Sequence, residues 1–142
     1  MPFQLIDDIA LADVAVEIQE KTVEALFETA ADALLQVQLE DIDSVNHDVE
    51  KTIQLSHPKV DLLLYKFLQE LIFLKESKHL LLRADSVAIE HPKDYVLTAY
   101  CSGEKLDPFR HELKADVNAM TLPQFKVVKN TSGWKATIVF DI

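Results

Sequence analysis

The sequence predicts an α+β fold in which two main helices pack on antiparallel β-sheet and the chain closes with a hairpin. Apolar residues recur at helical spacing in two segments, and they alternate with polar residues in six others. The chain has 142 residues, of which 49% are hydrophobic and 27% are charged. These proportions are typical of one globular domain, so we expect residues 1–142 to form a single domain.

The first half of the chain predicts a strand that leads directly into a helix. Residues 12–19 alternate through Val14, Val16 and Ile18, as in a strand with one solvated face. Thr22 is a suitable N-cap for the helix that follows, and the apolar stripe of this helix runs to about Val37.

A second strand and helix follow. Residues 47–56 alternate again, but Lys51 stands at one of the inward positions, which favours a strand near a sheet edge. Pro58 suits the entry of the second helix. We expect this helix to be the central and most buried one, because its apolar positions cover more than half of its circumference. They are Val60, Leu63, Leu64, Phe67, Leu68, Leu71, Ile72 and Leu74.

Two hairpins complete the predicted fold. Residues 80–90 and 95–102 are separated by a four-residue connection that contains Pro92. Residues 124–129 and 134–142 are separated by a turn in which Gly133 can adopt a positive φ. The last strand keeps its alternation up to Ile142, so we expect the chain to be ordered to that residue.

Charge and composition limit the classes of function. The net charge of −10 repels phosphate backbones, so we expect no direct binding to nucleic acid. A basic partner or a cation suits this charge, although the acidity can also serve solubility alone. No basic leader and no run of about 20 apolar residues is present, which predicts a cytoplasmic protein without membrane association.

The residues that usually carry catalysis form no recognisable motif. Gly103 and Gly133 are the only glycines, which excludes glycine-rich phosphate loops, and Cys101 is the only cysteine, which excludes an internal disulfide. We expect Cys101 to be a buried, unreactive thiol. The histidines are spread singly and no serine lies in a G-x-S-x-G turn, so the sequence predicts that the protein is not an enzyme.

The most polar stretch of the chain, residues 107–116, has two interpretations. Opposite charges so close in sequence usually solvate a surface connection. The alternative is a recognition loop for a partner. Its partner-binding residues would then be Asp107, Arg110, His111, Glu112 and Lys114.

A second candidate site combines residues from both ends of the chain. Asp13 opens the first predicted strand, Asp141 nearly ends the last one, and Ile142 would carry the terminal α-carboxylate. Neighbouring carboxylates repel one another unless a cation joins them, and such hard oxygen ligands favour Ca²⁺ or Mg²⁺. The sequence cannot show whether the two strands are adjacent.

Four segments resemble the archease family. GEKLDPFRHELKADVNAMT at residues 103–121 and FKVVKNTSGWKATIVFDI at residues 125–142 are similar to the C-terminal half of that family. ADVAVEIQEKTVEALFETAADAL at residues 12–34 looks like its first motif, and LLLYKFLQELIFL at residues 62–74 looks like its central helix. The resemblance covers nearly the whole chain.

This resemblance implies both a function and a metal site. Archeases are non-catalytic cofactors of the RtcB-type RNA ligase, which seals tRNA exon halves through a guanylylated histidine of the ligase. In the family, the aspartate of the first motif, the penultimate aspartate and the final residue hold a metal ion. These positions match Asp13, Asp141 and Ile142, so we expect a divalent cofactor, Ca²⁺ in preference to Mg²⁺, and an RtcB-type ligase as partner.

The chain also departs from the family pattern. Ala10 and Leu11 replace the usual His-Thr, and Leu122 and Pro123 replace the usual Tyr-His. Two further functions therefore remain open. One is a chaperone-like interaction module with a different partner. The other is a small metal-dependent enzyme, for which the sequence offers no general base or nucleophile beside the acidic site.

Overall fold

The structure is a computed structural model that describes residues 3–6 and 13–142, with side chains described from Asp13 onward except that of Pro123. Its elements, in chain order, are β1 (Phe3–Ile6), β2 (Asp13–Glu20), α1 (Val23–Gln38), β3 (Val49–His57), α2 (Val60–Lys78), β4 (Leu80–Glu90), β5 (Tyr95–Lys105), β6 (Ala119–Met120), β7 (Lys126–Asn130) and β8 (Gly133–Asp141). Short 3-10 turns cover Ile42–Ser44 and Leu122–Gln124. The predicted α+β class is confirmed, and the two predicted helices and six predicted strands occur in the predicted order, whereas β1 and β6 were not predicted.

The strands form two antiparallel sheets. In the first sheet the order is β1-β2-β8-β6, and β7 pairs with β8 on the same side as β6. In the second sheet the order is β3-β5-β4. Within the described residues β3 pairs only with β5, so the edge position that Lys51 predicted is confirmed. The first and last long strands of the chain, β2 and β8, are therefore direct neighbours.

Helix α1 begins where the sequence predicts. The hydroxyl of Thr22 accepts a hydrogen bond of 3.1 Å from the backbone N–H of Ala25, which satisfies one of the free donors at the helix start. The helix contacts β2 and β8 of the first sheet and β4 of the second. It therefore lies where the two sheets face one another, and the stacked rings of Phe27 and Phe67, 5.9 Å apart, join it to α2 in the core.

The prediction that α2 is the most buried helix is wrong. Nine of the 16 residues of α1 are buried, against seven of the 19 residues of α2. Ala30, Ala31 and Ala33 let α1 approach both sheets closely, because their side chains are small. Helix α2 instead exposes one face, on which Phe73 is 57% exposed.

Each glycine stands where a side chain would not fit. Gly133 opens β8 with a φ of +129°, the conformation predicted for the closing turn. Gly103 lies in β5 opposite Val49 and Leu82, and an added Cβ would stand 1.7 Å from the carbonyl oxygen of Leu81. Strand β5 continues to Lys105, three residues beyond the predicted end of the strand.

Candidate functional site

The pairing of β2 with β8 brings the two predicted acidic ligands together. Asp13 is the register partner of Asp141. Directly opposed residues of an antiparallel pair project from the same face, with Cβ atoms about 4.5–5.5 Å apart. Strand β6 lies on the other side of β8, where the backbone N–H of Asn118 donates a 2.9 Å hydrogen bond to the carbonyl oxygen of Asp141. The end of β8 is thus held from both sides.

The third predicted ligand, Ile142, directly follows β8. Ile142 is 38% exposed, so the end of this strand lies at the surface. Residues 13–142 contain no cluster of three or more His, Cys, Asp or Glu residues placed to hold a metal ion. The predicted site needs only two side chains, because the third ligand predicted for it is a main-chain carboxylate. Two opposed carboxylates at an exposed strand end are hard oxygen donors of the kind that a divalent cation prefers.

The predicted recognition loop does not present all of its residues to solvent. Asp107, Glu112 and Lys114 are exposed. The side chain of His111 has no exposed surface, so it is part of the interior rather than of the loop surface. Arg110 is exposed, although its Nη1 donates a 2.7 Å hydrogen bond to the carbonyl oxygen of Ser44. A partner-binding role for these five residues stays a prediction.

His111 belongs to a buried polar cluster around Glu104, a residue that sequence reasoning missed. The backbone N–H of Asp107 donates to Nδ1 of His111 at 2.8 Å, so in the neutral ring the proton is on Nε2. That Nε2 lies 3.2 Å from Oε2 of Glu104. The carboxylate of Glu104 also accepts hydrogen bonds from Arg110 and from the backbone N–H of Asn46.

Burial decides the charge state of this cluster. Loss of hydration on burial lowers the pKa of His111 from its ordinary value, and the positive charge of Arg110 lowers it further. The imidazole is therefore neutral, and the charge of Glu104 is balanced by Arg110. Because Glu104 is the penultimate residue of β5 and Asn46 follows the first 3-10 turn, the cluster fixes the base of the loop. An Arg-His pair that begins six residues after Glu104 was the only signal in the sequence.

One further group resembles a catalytic triad in composition only. Nδ1 of His47 lies 2.5 Å from Oγ of Ser102 and 3.8 Å from Oδ1 of Asp85. A triad needs the serine on one ring nitrogen and the carboxylate on the other, and 3.8 Å is too long for a hydrogen bond. The adjacent Cys101 is buried, and burial, with the nearby charge of Asp85, raises its pKa to about 11. This group therefore lacks the geometry of an activated nucleophile.

Comparison with known proteins gives the family. The model of the Archease protein family (MTH1598/TM1083) matches residues 3–142. The chain belongs to the archease family. It is 33% identical to the archease of Methanosarcina mazei, over 92% of this chain and 90% of that protein. It is 35% identical to the archease of Pyrococcus abyssi, over 92% of this chain and 93% of that protein.

Solved structures show the archease fold independently. The solution structure of Methanobacterium thermoautotrophicum protein 1598 matches with a TM-score of 0.85 and 25% identity, over 99% of both chains. The crystal structure of a Thermotoga maritima protein, described as an archease and possible chaperone, matches with a TM-score of 0.63 over 98% of both chains. Its 20% identity supports a common fold only. Among the described residues, no helix is both long and apolar enough to cross a membrane.

Proposed function

We propose that this chain is a non-catalytic, metal-binding cofactor that promotes the guanylylation and turnover of an RtcB-type RNA ligase. One observation carries the proposal: Asp13 and Asp141, from opposite ends of the sequence, are direct partners in the ladder between β2 and β8. Like charges directly opposite one another destabilise a sheet. Keeping both carboxylates at this position makes physical sense if a cation binds between them.

The metal ion would be held by Asp13, Asp141 and the α-carboxylate of Ile142. An all-oxygen set at a surface edge suits Ca²⁺, which accepts irregular geometry and several water ligands, and Mg²⁺ is the second choice. A bound divalent ion would supply positive charge at an otherwise acidic edge. The protein's own contribution is to hold both carboxylates on strands that are paired along their whole length.

The partner in this proposal is a protein rather than RNA. The chain carries 24 acidic against 14 basic residues, so its field attracts a basic protein surface and opposes a phosphate backbone. The cofactor would therefore act on the ligase and leave RNA binding to it.

The direct test mixes the purified protein with the RtcB-type ligase of the same organism, GTP and a divalent metal. The expected result is faster formation of the guanylylated ligase and more ligation turnovers. Asp13→Asn, Asp141→Asn and removal of Ile142 should each reduce the acceleration, whereas Asp48→Asn, which neutralises an exposed aspartate elsewhere, should not. Equal ligase turnover with and without the protein would contradict the proposal.

A chaperone-like module with another partner is the second candidate. The observation that favours it is Leu122, which replaces the tyrosine usual in the family and is 48% exposed. Ala10 and Leu11, which replace the family His-Thr, lie outside the described residues. Affinity purification from the protein's own cells separates the two candidates. An RNA ligase should be the main co-purifying protein under the first proposal and should be absent under the second.

A further inference from the structure

A cleft lies between the C-terminal end of α2 and the extended segment that leads to β6. Its volume is about 640 Å³, within the range of roughly 300–1,000 Å³ that is usual for ligand sites. It is separate from the acidic pair at Asp13 and Asp141, neither of which lines it. The lining residues on which the argument depends are His79, Leu81, Leu106, Leu113, Lys114 and Ala115.

The wall of the cleft is apolar, although it is open to solvent. Leu81 is buried beneath it, Leu106 is partly buried, and Leu113 is 50% exposed. Leu113 and Leu81 both line the cleft, so an apolar side chain of a ligand can contact both of them. Burying such a side chain here would remove apolar surface from water on both partners.

One wall of the cleft has the backbone of a free strand edge. Leu113 forms an antiparallel bridge with Leu39, because the N–H of Glu40 donates to the carbonyl of Glu112 and the N–H of Lys114 donates to the carbonyl of Gln38. In such a bridge the N–H and C=O of Leu113 point away from Leu39, and so do those of Ala115. Within residues 13–142, these groups of Leu113 and Ala115 make no backbone hydrogen bond.

The charges that line the cleft balance, in contrast to the acidic molecule as a whole, since Lys75 and Lys114 oppose Glu76 and Asp116. The ammonium of Lys75 is fully occupied, since it donates to Gln38 Oε1 at 2.7 Å, Asp116 Oδ1 at 2.6 Å and Val117 O at 2.7 Å. That leaves Lys114 as the lining lysine available to a ligand, with Glu76 as the opposing charge. Lys114 forms no ion pair with a described residue.

His79 is one of the residues that line the cleft, and its backbone conformation is unusual. Its φ of 57° is left-handed, and it is the only non-glycine residue with positive φ among those described. Gly or Asn is the usual residue at such a helix end, because a larger side chain costs conformational energy there. The backbone N–H of His79 donates to Leu74 O, and its carbonyl accepts from Leu106 N at 2.7 Å, so the end of α2 is fixed at this side of the cleft.

We propose that this cleft binds an extended segment of a partner protein, in which a leucine-sized apolar side chain is followed by a carboxylate. The segment adds to the free edge at Leu113 and Ala115, its apolar side chain enters the cleft beside Leu81, and its carboxylate pairs with Lys114. Strand addition of this kind takes affinity from main-chain hydrogen bonds and specificity from pockets. This inference rests on the proposed function, because the partner that supplies the segment is the protein partner proposed there.

The test uses the full chain, labelled with ¹⁵N, and the probe peptide acetyl-Ser-Leu-Glu-Ser-amide. Titration should shift the amide signals of Leu113, Lys114 and Ala115. Peptides with Gln in place of Glu, or Ser in place of Leu, should bind roughly ten-fold more weakly, since each loses one of the two side-chain contacts. Shifts confined to other parts of the chain, or equal affinity for all three peptides, would overturn the proposal.

Two surface variants keep the test independent of folding. Leu113→Ser and Lys114→Glu change exposed side chains and should each weaken binding roughly ten-fold, while Lys93→Glu makes the same charge change on a distant loop and should leave it unaltered. Octanoate, an apolar anion without a peptide backbone, should bind far more weakly than the peptide. Equal or tighter binding of octanoate at these residues would assign the cleft to a small molecule instead.

Failure of this proposal and failure of the ligase proposal give different results. Asp141→Asn should lose ligase stimulation but bind the peptide normally, because neither acidic residue lines the cleft. Leu113→Ser should bind metal normally and need more protein for half-maximal stimulation. Peptide binding without any ligase stimulation would place a different partner in the cleft. Ligase stimulation that Leu113→Ser leaves unchanged would remove the cleft from the ligase interface.

Discussion

At the scale of single residues, the opposed pair of Asp13 and Asp141 stores electrostatic repulsion that a cation would remove. Asp141→Asn halves the charge of the pair, so without metal it should raise the free energy of unfolding by about 0.2–1 kcal/mol. In saturating calcium the parent protein should become the more stable of the two, because only it keeps both carboxylates and gains binding free energy. That gain is about 2.7 kcal/mol at one hundred times the dissociation constant. Urea unfolding with EDTA and with CaCl₂ measures both effects.

The control for this experiment is Asp48→Asn, at an exposed aspartate outside the pair. It should leave the calcium-dependent gain in stability intact. A calcium-induced gain in Asp141→Asn as large as in the parent protein would remove Asp141 from the metal site, whereas the fold and the family assignment would stand.

Cys101 provides a second residue-scale prediction. Since burial raises its pKa to about 11, only about one thiol in a thousand is ionised at pH 8, against roughly a quarter for an ordinary thiol. The native protein should therefore react with a disulfide reagent roughly a hundredfold more slowly than the protein in guanidinium chloride. Absorbance of the released thiolate follows the reaction. Equal rates in the two states would show that the native thiol is accessible.

At the scale of elements, Lys75 joins α2, α1 and the segment before β6. Its ammonium donates hydrogen bonds to Oε1 of Gln38, at the end of α1, and to the carbonyl oxygen of Val117, and its side chain is only 12% exposed. Lys75→Met keeps the apolar stem but leaves that buried carbonyl without its donor. We expect a loss of about 2–3 kcal/mol in the free energy of unfolding, measured by urea denaturation.

Asp116→Asn is the matched variant at the same ammonium. The side chain of Asp116 is 74% exposed, so its ion pair with Lys75 is solvated and contributes at most about 1 kcal/mol. The two variants should therefore differ clearly in stability. If they were equally destabilising, the exposed ion pair rather than the buried hydrogen bonds would join these elements.

At the scale of the whole molecule, the Glu104 cluster should make global stability depend on pH. Burial lowers the pKa of His111 in the native state below its unfolded value of about 6.5, so the unfolded chain binds more protons in the interval between the two values. The stabilisation is complete above about pH 6.5 and decreases as the pH falls from there towards the lowered native pKa. Denaturation midpoints measured between pH 7.5 and 5 test this.

Two variants show which histidine is responsible. His111→Asn can still accept the hydrogen bond from Asp107 but has no proton to gain, so its stability should change less with pH over this interval. His79→Asn removes an exposed imidazole from a left-handed position that suits Asn, and it should keep the pH dependence of the parent. The prediction fails if His111→Asn has the same pH dependence as the parent protein.

Much of the fold could be predicted because local sequence decides helices, strands and turns. Thr22 caps α1, Lys51 marks an edge strand, and Gly133 has the positive φ that its turn needs. The relative burial of the helices was not predictable, because it depends on which helix lies between the two sheets. Apolar coverage favoured α2, but the small alanines of α1 fit that space better.

The candidate sites could likewise be predicted only in part. The sequence by itself determined the family, the residue types of the proposed acidic site and the polar loop, because these depend on residue identity and order. Only the tertiary structure decided that Asp13 lies opposite Asp141, that His111 is an interior partner of Glu104, and that Leu113 and Lys114 border a cleft. The physical reason is that strand pairing and burial depend on contacts between residues far apart in the chain, which no local pattern records.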